Sequence, residues 1–419
     1  MKQLTVNKQY GKITVLLILL TALTVTVFLA SCSKTEDENI IRPSTVSDSR
    51  LAATPVEVSL SDSEMEVGIC TIHEITAVGG RKISWTSSDE SVATVDNQGR
   101  ITGIKAGECD ITAANEFGKT AQCHIQVKKS VFLTIDDGPL GCCSKILNVL
   151  KTNDVKATFF VVKTHDIEMV KRIHDEGHCI GLHTYSHDFS KCYRSDYSYF
   201  SDLEKLKSLI YDYTGETPDI VRFPGGTSNT MMNRLGMRRM VSGLDDLGYR
   251  VFDWTASSGD ATAERISYDR AASNVLRNCY KDVNIVLMHD WEPAPKSLRV
   301  IISYLKEKGF TFDTLDHYAE HSFRTKTKYE KSKNGDTVIP CTAVSLNENQ
   351  ITVLPGKSVT IKATIEPAAT TDYLRFVSDD PSIASVTLEG EITGNKTGTT
   401  NIRAIASSGA EAVCAVTVE

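Results

Sequence analysis

The sequence has no excess of positive charge: 46 lysine and arginine residues stand against 53 aspartate and glutamate residues, which gives a net charge of −7. This balance excludes the basic surface by which proteins bind nucleic acid. Eleven cysteines in 419 residues are too few for a disulfide scaffold, and their odd number leaves at least one unpaired. With 41% hydrophobic and 24% charged residues, collagen-like and disordered chains are also excluded. At roughly 100–200 residues per domain, the length predicts about two to four domains.

The amino terminus has the layout of a secretory signal. Lys2, Lys8 and Lys12 precede an uncharged apolar run over residues 13–30. The letters LASC at residues 29–32 resemble the lipobox of bacterial lipoproteins, which implies cleavage before Cys32 and a lipid on its thiol. Residues 1–31 are therefore predicted to be a signal peptide, and the protein is expected in the cell envelope, anchored to a membrane by lipid and facing outside the cytoplasm. The alternative is an uncleaved anchor helix that ends in a chance cysteine.

The residues after this segment predict a flexible tether. Residues 32–53 are polar, charged and poor in aromatic side chains. Such segments cannot bury enough apolar surface to fold by themselves.

Two later segments repeat each other at an offset of 291 residues, from Trp85 to Phe376. WTSSD at residues 85–89 recurs as FVSDD, and GRITG at 99–103 recurs as GEITG. Short runs of alternating apolar and polar residues between turns predict a small antiparallel β-sandwich in each copy. The repeat resembles the bacterial immunoglobulin-like (Ig-like) group 2 domain, at residues 54–128 and 342–419. That resemblance implies spacer or adhesive modules that contact cell-surface glycan or protein, and residues 321–341 before the second copy are predicted to be a linker.

Residues 129–320 have a different pattern, in which apolar runs of strand length alternate with amphipathic stretches. This alternation predicts parallel strands with crossover helices, in an open sheet or a barrel. In a barrel, functional residues lie where strands run into the following loops. Strands are predicted near residues 131–135, 157–162, 220–223, 249–254, 284–288 and 310–312, and helices near 144–152, 167–176 and 297–308.

Five polar motifs end strands of this segment: TIDDGP at 134–139, HTYSH at 183–187, RFPGG at 222–226, DW at 253–254 and LMH at 287–289. Each motif alone has a structural explanation, such as an acidic turn, a surface turn with two histidines, a salt-bridging arginine, a core tryptophan or a satisfied histidine. Five of them at successive strand ends favour a common site. Two imidazoles and one carboxylate could bind zinc and leave a position open for water.

In this order the motifs resemble the polysaccharide deacetylases of carbohydrate esterase family 4. The resemblance implies a deformed (β/α) barrel between the two all-β sandwiches. It also implies that Asp137, His183 and His187 bind a divalent metal, zinc or a similar ion such as Co²⁺. By the same resemblance, Asp136 is the general base and His289 is the general acid.

The resemblance assigns supporting roles as well. Arg222 is expected to orient the base, and Asp253 is expected to hydrogen-bond the acid and tune its pKa. The backbone N–H of Gly225 is expected to help hold the oxyanion, and Trp254 and Leu287 are expected to form the walls of the acetyl pocket. The chain departs from the family where Gly225 replaces a common tyrosine, but no ligand and no acid–base residue is missing.

The sequence thus predicts hydrolysis of N-acetyl groups from an N-acetylglucosamine-containing polysaccharide of the cell envelope, either peptidoglycan or a chitin-like polymer. An O-acetyl esterase acting on xylan or capsular polysaccharide is a close alternative. A non-catalytic adhesin that binds glycan is a more distant one. Ten cysteines besides Cys32 are spread over three predicted domains, which favours free thiols.

Overall fold

The computed structural model describes residues 56–231, 234–261, 265–324, 339–370, 372–387, 390–406 and 408–419. The predicted signal peptide, the lipidation site Cys32, the tether and most of the predicted linker lie outside these residues. Among the helices in the described part of the chain, none is long and apolar enough to cross a membrane.

The central segment forms one sheet of eight strands in which every described pair is parallel. Its order is β14-β13-β12-β11-β10-β16-β15, and β17 pairs with the first half of β10. Among the described residues, β14 and β15 stand at the two ends of this order and do not pair with each other, which fits a deformed (β/α) barrel. The strands are β10 (Ser130–Asp136), β11 (Thr158–Val161), β12 (Cys179–Leu182), β13 (Ile220–Val221), β14 (Arg250–Val251), β15 (Ala256–Ser257), β16 (Val283–His289) and β17 (Thr311–Asp313).

Helices connect these strands and cover the outside of the sheet. Where their ends are capped, the sequence explains the boundary: the Ser195 side chain accepts the Ser198 N–H at the start of α4, and Gly215 ends that helix at a φ of 79°. The helices are α1 (Cys143–Thr152), α2 (Ile167–Asp175), α3 (Phe189–Cys192), α4 (Asp196–Thr214), α5 (Arg234–Asp246), α6 (Tyr268–Asn278) and α7 (Ala294–Glu307), followed by a 3₁₀ turn at Leu315–His317.

The first repeat folds as a β-sandwich before the barrel. A four-stranded sheet of order β2-β9-β8-β5 faces a three-stranded sheet of order β3-β7-β6, and β1 pairs with β4. The strands are β1 (Ser59–Leu60), β2 (Glu64–Gly68), β3 (Ile72–Glu74), β4 (Ala77–Val78), β5 (Ile83–Ser87), β6 (Ala93–Val95), β7 (Arg100–Gly103), β8 (Gly107–Asn115) and β9 (Thr120–Lys128).

The second repeat has the same arrangement after the barrel, with sheets of order β19-β26-β25-β22 and β20-β24-β23 and the pair β18-β21. The 291-residue offset of the sequence is kept by the start of every strand from β5/β22 to β9/β26. The strands are β18 (Ala343–Leu346), β19 (Gln350–Val353), β20 (Ser358–Thr360), β21 (Ala363–Glu366), β22 (Leu374–Ser378), β23 (Ala384–Val386), β24 (Glu391–Gly394), β25 (Gly398–Ala406) and β26 (Glu411–Val418).

The sandwiches differ from the prediction in one respect. They are not wholly antiparallel, because β2 pairs with β9 and β19 pairs with β26 in parallel. The repeated residues Cys123 and Cys414 are completely buried on the last strand of each sandwich. All ten cysteines in the described ranges are free thiols, as the sequence analysis favours.

Candidate active site

The polar motifs converge at the carboxyl ends of the barrel strands. Asp136 is the last residue of β10 and His289 is the last residue of β16, and the two are register partners on these neighbouring strands. His183 directly follows β12, and Arg222 directly follows β13. Because the carboxyl ends of parallel strands meet at one end of a barrel, these side chains share one site.

The adjacent carboxylates Asp136 and Asp137 face the same imidazole. Neighbouring residues in a regular strand point to opposite faces. Here β10 ends at Asp136, and Asp137 has a left-handed backbone with a φ of 67°. As a result, His183 Nε2 lies 3.7 Å from Asp136 Oδ2 and 3.4 Å from Asp137 Oδ1.

Asp137, His183 and His187 form a compact set of metal-ligand atoms. His187 Nε2 lies 3.1 Å from Asp137 Oδ1, and one ligand atom from each residue lies within 4.8 Å of the others. Asp137 Oδ1 is buried and accepts no hydrogen bond from the described residues. A buried carboxylate oxygen without a partner is unfavourable, and a cation held between it and the two imidazoles would satisfy it. The three residues therefore fit a divalent metal such as zinc.

The hydrogen bond of His183 determines which of its nitrogens can bind a cation. Its Nδ1 lies 2.8 Å from the carbonyl oxygen of Arg222. A carbonyl oxygen only accepts, so Nδ1 carries the proton and Nε2 presents its lone pair to the aspartates. Burial lowers the pKa of His183 despite the opposing charges of Asp136 and Asp137. The ring is thus neutral at pH 7, as a metal ligand must be.

Arg222 is completely buried and fixes the position of Asp136. Its Nη1 donates to Asp136 Oδ1 at 2.8 Å and also to the Thr134 hydroxyl. Its Nε donates to the Phe252 carbonyl at 2.9 Å, and its Nη2 donates to the Asp253 carbonyl at 3.1 Å. Since the backbone holds the guanidinium, the charge-assisted hydrogen bond holds the carboxylate in one orientation.

The carboxylate that contacts His289 is Asp260, which corrects the predicted role of Asp253. His289 Nδ1 lies 2.7 Å from Asp260 Oδ1, and the His289 backbone N–H donates to Asp260 Oδ2 at 3.0 Å. Asp253 instead accepts hydrogen bonds from the N–H and the hydroxyl of Thr227. Strand order explains the difference. Asp260 follows β15, the hydrogen-bonded neighbour of β16, whereas Asp253 follows β14 at the other edge of the sheet.

The surroundings of His289 favour its charged form. Burial opposes the charge, but the hydrogen bond to Asp260 and the charges of Asp136, Asp260 and Asp137 outweigh it and raise the pKa of His289 above its usual value. The Trp291 indole lies parallel to the imidazole, with 4.7 Å between ring centres, and its Nε1 donates to the Asp260 carbonyl at 3.1 Å. An aromatic face next to a cation is attractive, so Trp291 also supports an imidazolium at this position.

The three predicted substrate-contacting residues lie around the same end of the barrel. Gly225 is exposed at a φ of 75°, and a side chain built on it would meet Asn229 and the ring of Phe189. The half-buried Trp254 has its ring 5.7 Å from the Arg222 guanidinium. Leu287 on β16 is 6% exposed. Their roles in substrate binding stay predictions.

Sequence reasoning misses Asp260 and Trp291. Asp260 follows β15, which has two residues and therefore leaves no apolar run to mark a strand end. Trp291 lies only two residues beyond the LMH motif, so its closeness to His289 along the chain is a signal that could have indicated it.

Two family models match the chain. The model described as polysaccharide deacetylase matches residues 125–240, and the model described as bacterial Ig-like domain (group 2) matches residues 71–125 and 340–416. The catalytic segment and its two flanking sandwiches are therefore matched by separate models.

Curated relatives align with a longer part of the chain than the deacetylase model does. YheN of Bacillus subtilis is 30% identical in an alignment of 277 residues that covers 63% of this chain and 95% of that protein. A peptidoglycan-N-acetylglucosamine deacetylase of Bacillus cereus is 35% identical in an alignment of 208 residues that covers 47% of this chain and 74% of that protein. Among solved structures, the catalytic domain of peptidoglycan N-acetylglucosamine deacetylase from Eubacterium rectale is 34% identical, covering 48% of this chain and 94% of that one at a TM-score of 0.46.

The parallel (β/α) fold, the aspartates and histidines gathered at the carboxyl ends of its strands and the matching deacetylase model together define the class as a hydrolase. The chain belongs to the polysaccharide deacetylase family, as the similarity to its relatives shows. The predicted fold class, a deformed barrel between two Ig-like sandwiches, is confirmed.

Proposed function

We propose that this protein hydrolyses N-acetyl groups of N-acetylglucosamine units in a cell-envelope polysaccharide, with peptidoglycan as the first candidate substrate. The observation that carries the proposal is the arrangement of Asp136 and His289 on adjacent strands beside the Asp137, His183 and His187 cluster. The Bacillus cereus relative named for peptidoglycan deacetylation supports the choice of substrate.

The proposal includes a divalent metal held by Asp137, His183 and His187. When bound, an ion such as zinc would lower the pKa of water to about 7 and polarise the acetyl carbonyl. Histidine nitrogen and carboxylate oxygen suit zinc, and Co²⁺ accepts the same ligands.

Asp136 and His289 would move the protons of the reaction. Asp136, held by Arg222, would accept the proton of the attacking water. His289, which contacts Asp260, would donate a proton to the departing amine nitrogen. An amine leaves poorly unless it is protonated, and one acid or base group contributes about 10²–10⁴-fold to such a rate.

The remaining predicted residues would bind the acetyl group. The Gly225 N–H would donate to the developing oxyanion. Trp254 and Leu287 would pack against the methyl group, since the Trp254 ring lies beside the Arg222 guanidinium and Leu287 precedes His289 by two residues on β16.

Acetate release from three substrates tests the proposal. The zinc-loaded full chain should release acetate from peptidoglycan or from chitooligosaccharide, and a chelator should abolish the release. Release from acetylated xylan alone would favour the O-acetyl esterase instead. A zinc-loaded chain that releases acetate from none of the three would overturn both enzyme functions and favour the adhesin.

Variants of the acid and of a matched surface histidine sharpen this experiment. His289→Ala should keep the metal content of the protein and lower turnover by about 10²–10⁴-fold. His174→Ala removes a histidine that is hydrogen-bonded to Asp175 on the surface, so turnover should not change. Wild-type turnover by His289→Ala would remove His289 from the mechanism.

Attachment to the envelope through Cys32 is also part of the proposal. A bacterial host fed a labelled fatty acid should incorporate the label into the wild-type chain but not into Cys32→Ser. Equal labelling of both proteins would exclude Cys32 as the lipidation site.

A further inference from the structure

A second cluster of two histidines and one aspartate lies away from the active site. His73 belongs to β3 of the first Ig-like domain, Asp313 ends β17 of the barrel, and His317 ends the 3₁₀ turn that follows. The Leu315 N–H donates to the hydroxyl of Thr158, the first residue of β11. The cluster therefore lies at the amino ends of the barrel strands, the end opposite the active site.

The three side chains present their ligand atoms to one another across the domain boundary. His73 Nε2 lies 2.7 Å from Asp313 Oδ2, and His317 Nδ1 lies 2.7 Å from Asp313 Oδ1. The two imidazole centres are 4.8 Å apart. The side chain of Asp313 is 10% exposed, whereas those of His73 and His317 are 26% and 44% exposed, so the cluster opens to solvent on one side.

We propose that His73, Asp313 and His317 form a second divalent-cation site, which links the first Ig-like domain to the barrel. Two imidazole nitrogens and one carboxylate are the same donors as in the active-site cluster, and they leave a fourth position for water. Imidazole donors select zinc-like ions over Ca²⁺ and Mg²⁺, which take oxygen ligands.

The local charge also favours a cation. Asp316 Oδ2 lies 4.0 Å from His317 Nε2, which adds a second carboxylate to that of Asp313. The Arg250 guanidinium also lies near His317 and opposes a cation, while it donates to the backbone carbonyls of Leu315 and Tyr318.

Cation binding would replace the protons on the imidazole nitrogens that face Asp313 with a metal ion. With no metal bound, the imidazole N–H groups facing Asp313 donate to its carboxylate. A bound ion would take the place of these shared protons: a neutral imidazole would keep its one proton on the opposite ring nitrogen, and an imidazolium would release one proton to solvent. The nitrogen–oxygen contacts of 2.7 Å are shorter than the 3.1 and 3.4 Å in the active-site cluster, so the rings must turn outward slightly to admit the ion.

The number of ions bound per chain tests this site. The full chain is stripped with chelator, reloaded with Zn²⁺ or Co²⁺, passed through a desalting column and measured by elemental mass spectrometry. Wild type should hold two ions, His73→Ala and His187→Ala should hold one each, and the double variant should hold none. Added Zn²⁺ should raise the thermal midpoint of His187→Ala but not that of the double variant.

His317→Gln provides a second variant in case His73→Ala disturbs domain packing, and circular dichroism checks that both are folded. The proposal would be overturned if the wild-type chain held one ion, and if His187→Ala lost that ion while His73→Ala kept it. The second cluster would then be a hydrogen-bonded network without a metal. The outcome does not depend on the proposed function. Two ions on a chain that releases no acetate would support this site and contradict only the catalytic proposal.

Discussion

The charge of His289 depends on one neighbouring carboxylate, that of Asp260. Replacing Asp260 with Asn keeps the shape of the side chain but removes its charge, so the pKa of His289 should fall. Because a general acid works only while protonated, the high-pH limb of kcat/KM should move down by about one pH unit, and turnover should fall by about 10–10²-fold. The full pH–rate profile of Asp260→Asn measures both changes.

Asp253→Asn is the matched control for this prediction. Its carboxylate bonds to Thr227, so the variant can disturb the loop after β13, but it should leave the high-pH limb in place. If the high-pH limb of kcat/KM shifted in Asp253→Asn but not in Asp260→Asn, Asp253 would be the carboxylate that tunes the pKa of His289.

Asp290 carries a buried charge that should destabilise the fold at neutral pH. It is 1% exposed, its Oδ2 accepts the Leu140 N–H, and its Oδ1 has no partner among the described residues. Burial raises the pKa of Asp290 from 3.8 to about 6. The folded-state pKa is the higher one, so the stabilisation from the protonated form is complete below about pH 4 and is lost as the pH rises through about 6.

Asp290→Asn should therefore raise the free energy of unfolding at about pH 8 by roughly 2–3 kcal/mol. Most of this gain should disappear at about pH 4, where the wild-type carboxyl is itself neutral. Urea unfolding at both pH values measures the difference. Asp212→Asn, on an exposed side chain of α4, should show no such pH dependence, and an equal gain at both pH values would contradict the charge as the cause.

Individual site residues could be predicted from the sequence where a motif marks the end of a strand. The pairing of Asp137 with His183 and His187 is such a case, because each motif places its ligands within a few residues of a strand end. The partner of His289 could not be predicted in this way. It depends on which strand lies beside β16, and the local sequence does not indicate which strands are neighbours in the sheet.

At the scale of elements, continuous apolar runs were sufficient to predict a strand or a helix, whereas the two-residue strand β15 was not predicted. The predicted strand at 131–135 and helix at 144–152 correspond to β10 and α1 within one residue at each end. The strand β14 lies within the predicted run at 249–254, whereas β15 has two residues and no predicted run, and its existence depends on β16, with which it pairs. The 19-residue helix α4 is also absent from the prediction, although its caps at Ser195 and Gly215 are local signals.

Helix α5 packs so closely that one added methyl group should destabilise it. A Cβ on Gly243 would lie 2.7 Å from Phe200 Cζ and 2.7 Å from Tyr373 Cγ. Alanine favours a helix over glycine by about 1 kcal/mol, but overpacking costs about 1–3 kcal/mol. Gly243→Ala should therefore lower the thermal midpoint. Ser242→Ala on the same helix gains helix propensity without this clash, so its thermal midpoint should rise. A higher thermal midpoint in both variants would show that the helix can shift to make room for the methyl group.

At the scale of the whole molecule, the repeat predicts the two sandwiches but not how they dock. Tyr373 of the second Ig-like domain is 4% exposed and belongs to the apolar core of the barrel. Its ring lies 4.7 Å from that of Phe200 on α4. Such a contact joins residues far apart in the chain, and no local pattern distinguishes Tyr373 from a tyrosine in the core of its own domain.

Because the second Ig-like domain packs on the barrel, we expect removal of residues 339–419 to lower the stability of the barrel but to leave its acetate release intact. The truncation exposes Phe200 and the face of α5 at Gly243. Loss of one buried aromatic contact costs roughly 2–3 kcal/mol, which lowers the midpoint of a domain this size by about 4–10 °C. All the predicted catalytic and metal-binding residues lie on barrel strands or the loops that follow them, so acetate release per folded molecule from a short chitooligosaccharide should be retained.

Scanning calorimetry of the full chain and the truncated chain measures the change, with two variants of the full chain for comparison. Tyr373→Ala should lower the barrel midpoint in the same direction as the truncation, because it removes the same ring from the same core. Tyr280→Ala removes a side chain that is 70% exposed, so the midpoint should not move. If truncation and Tyr373→Ala both leave the barrel midpoint unchanged, the second Ig-like domain is energetically independent, and the close approach of Tyr373 to Phe200 contributes nothing to stability.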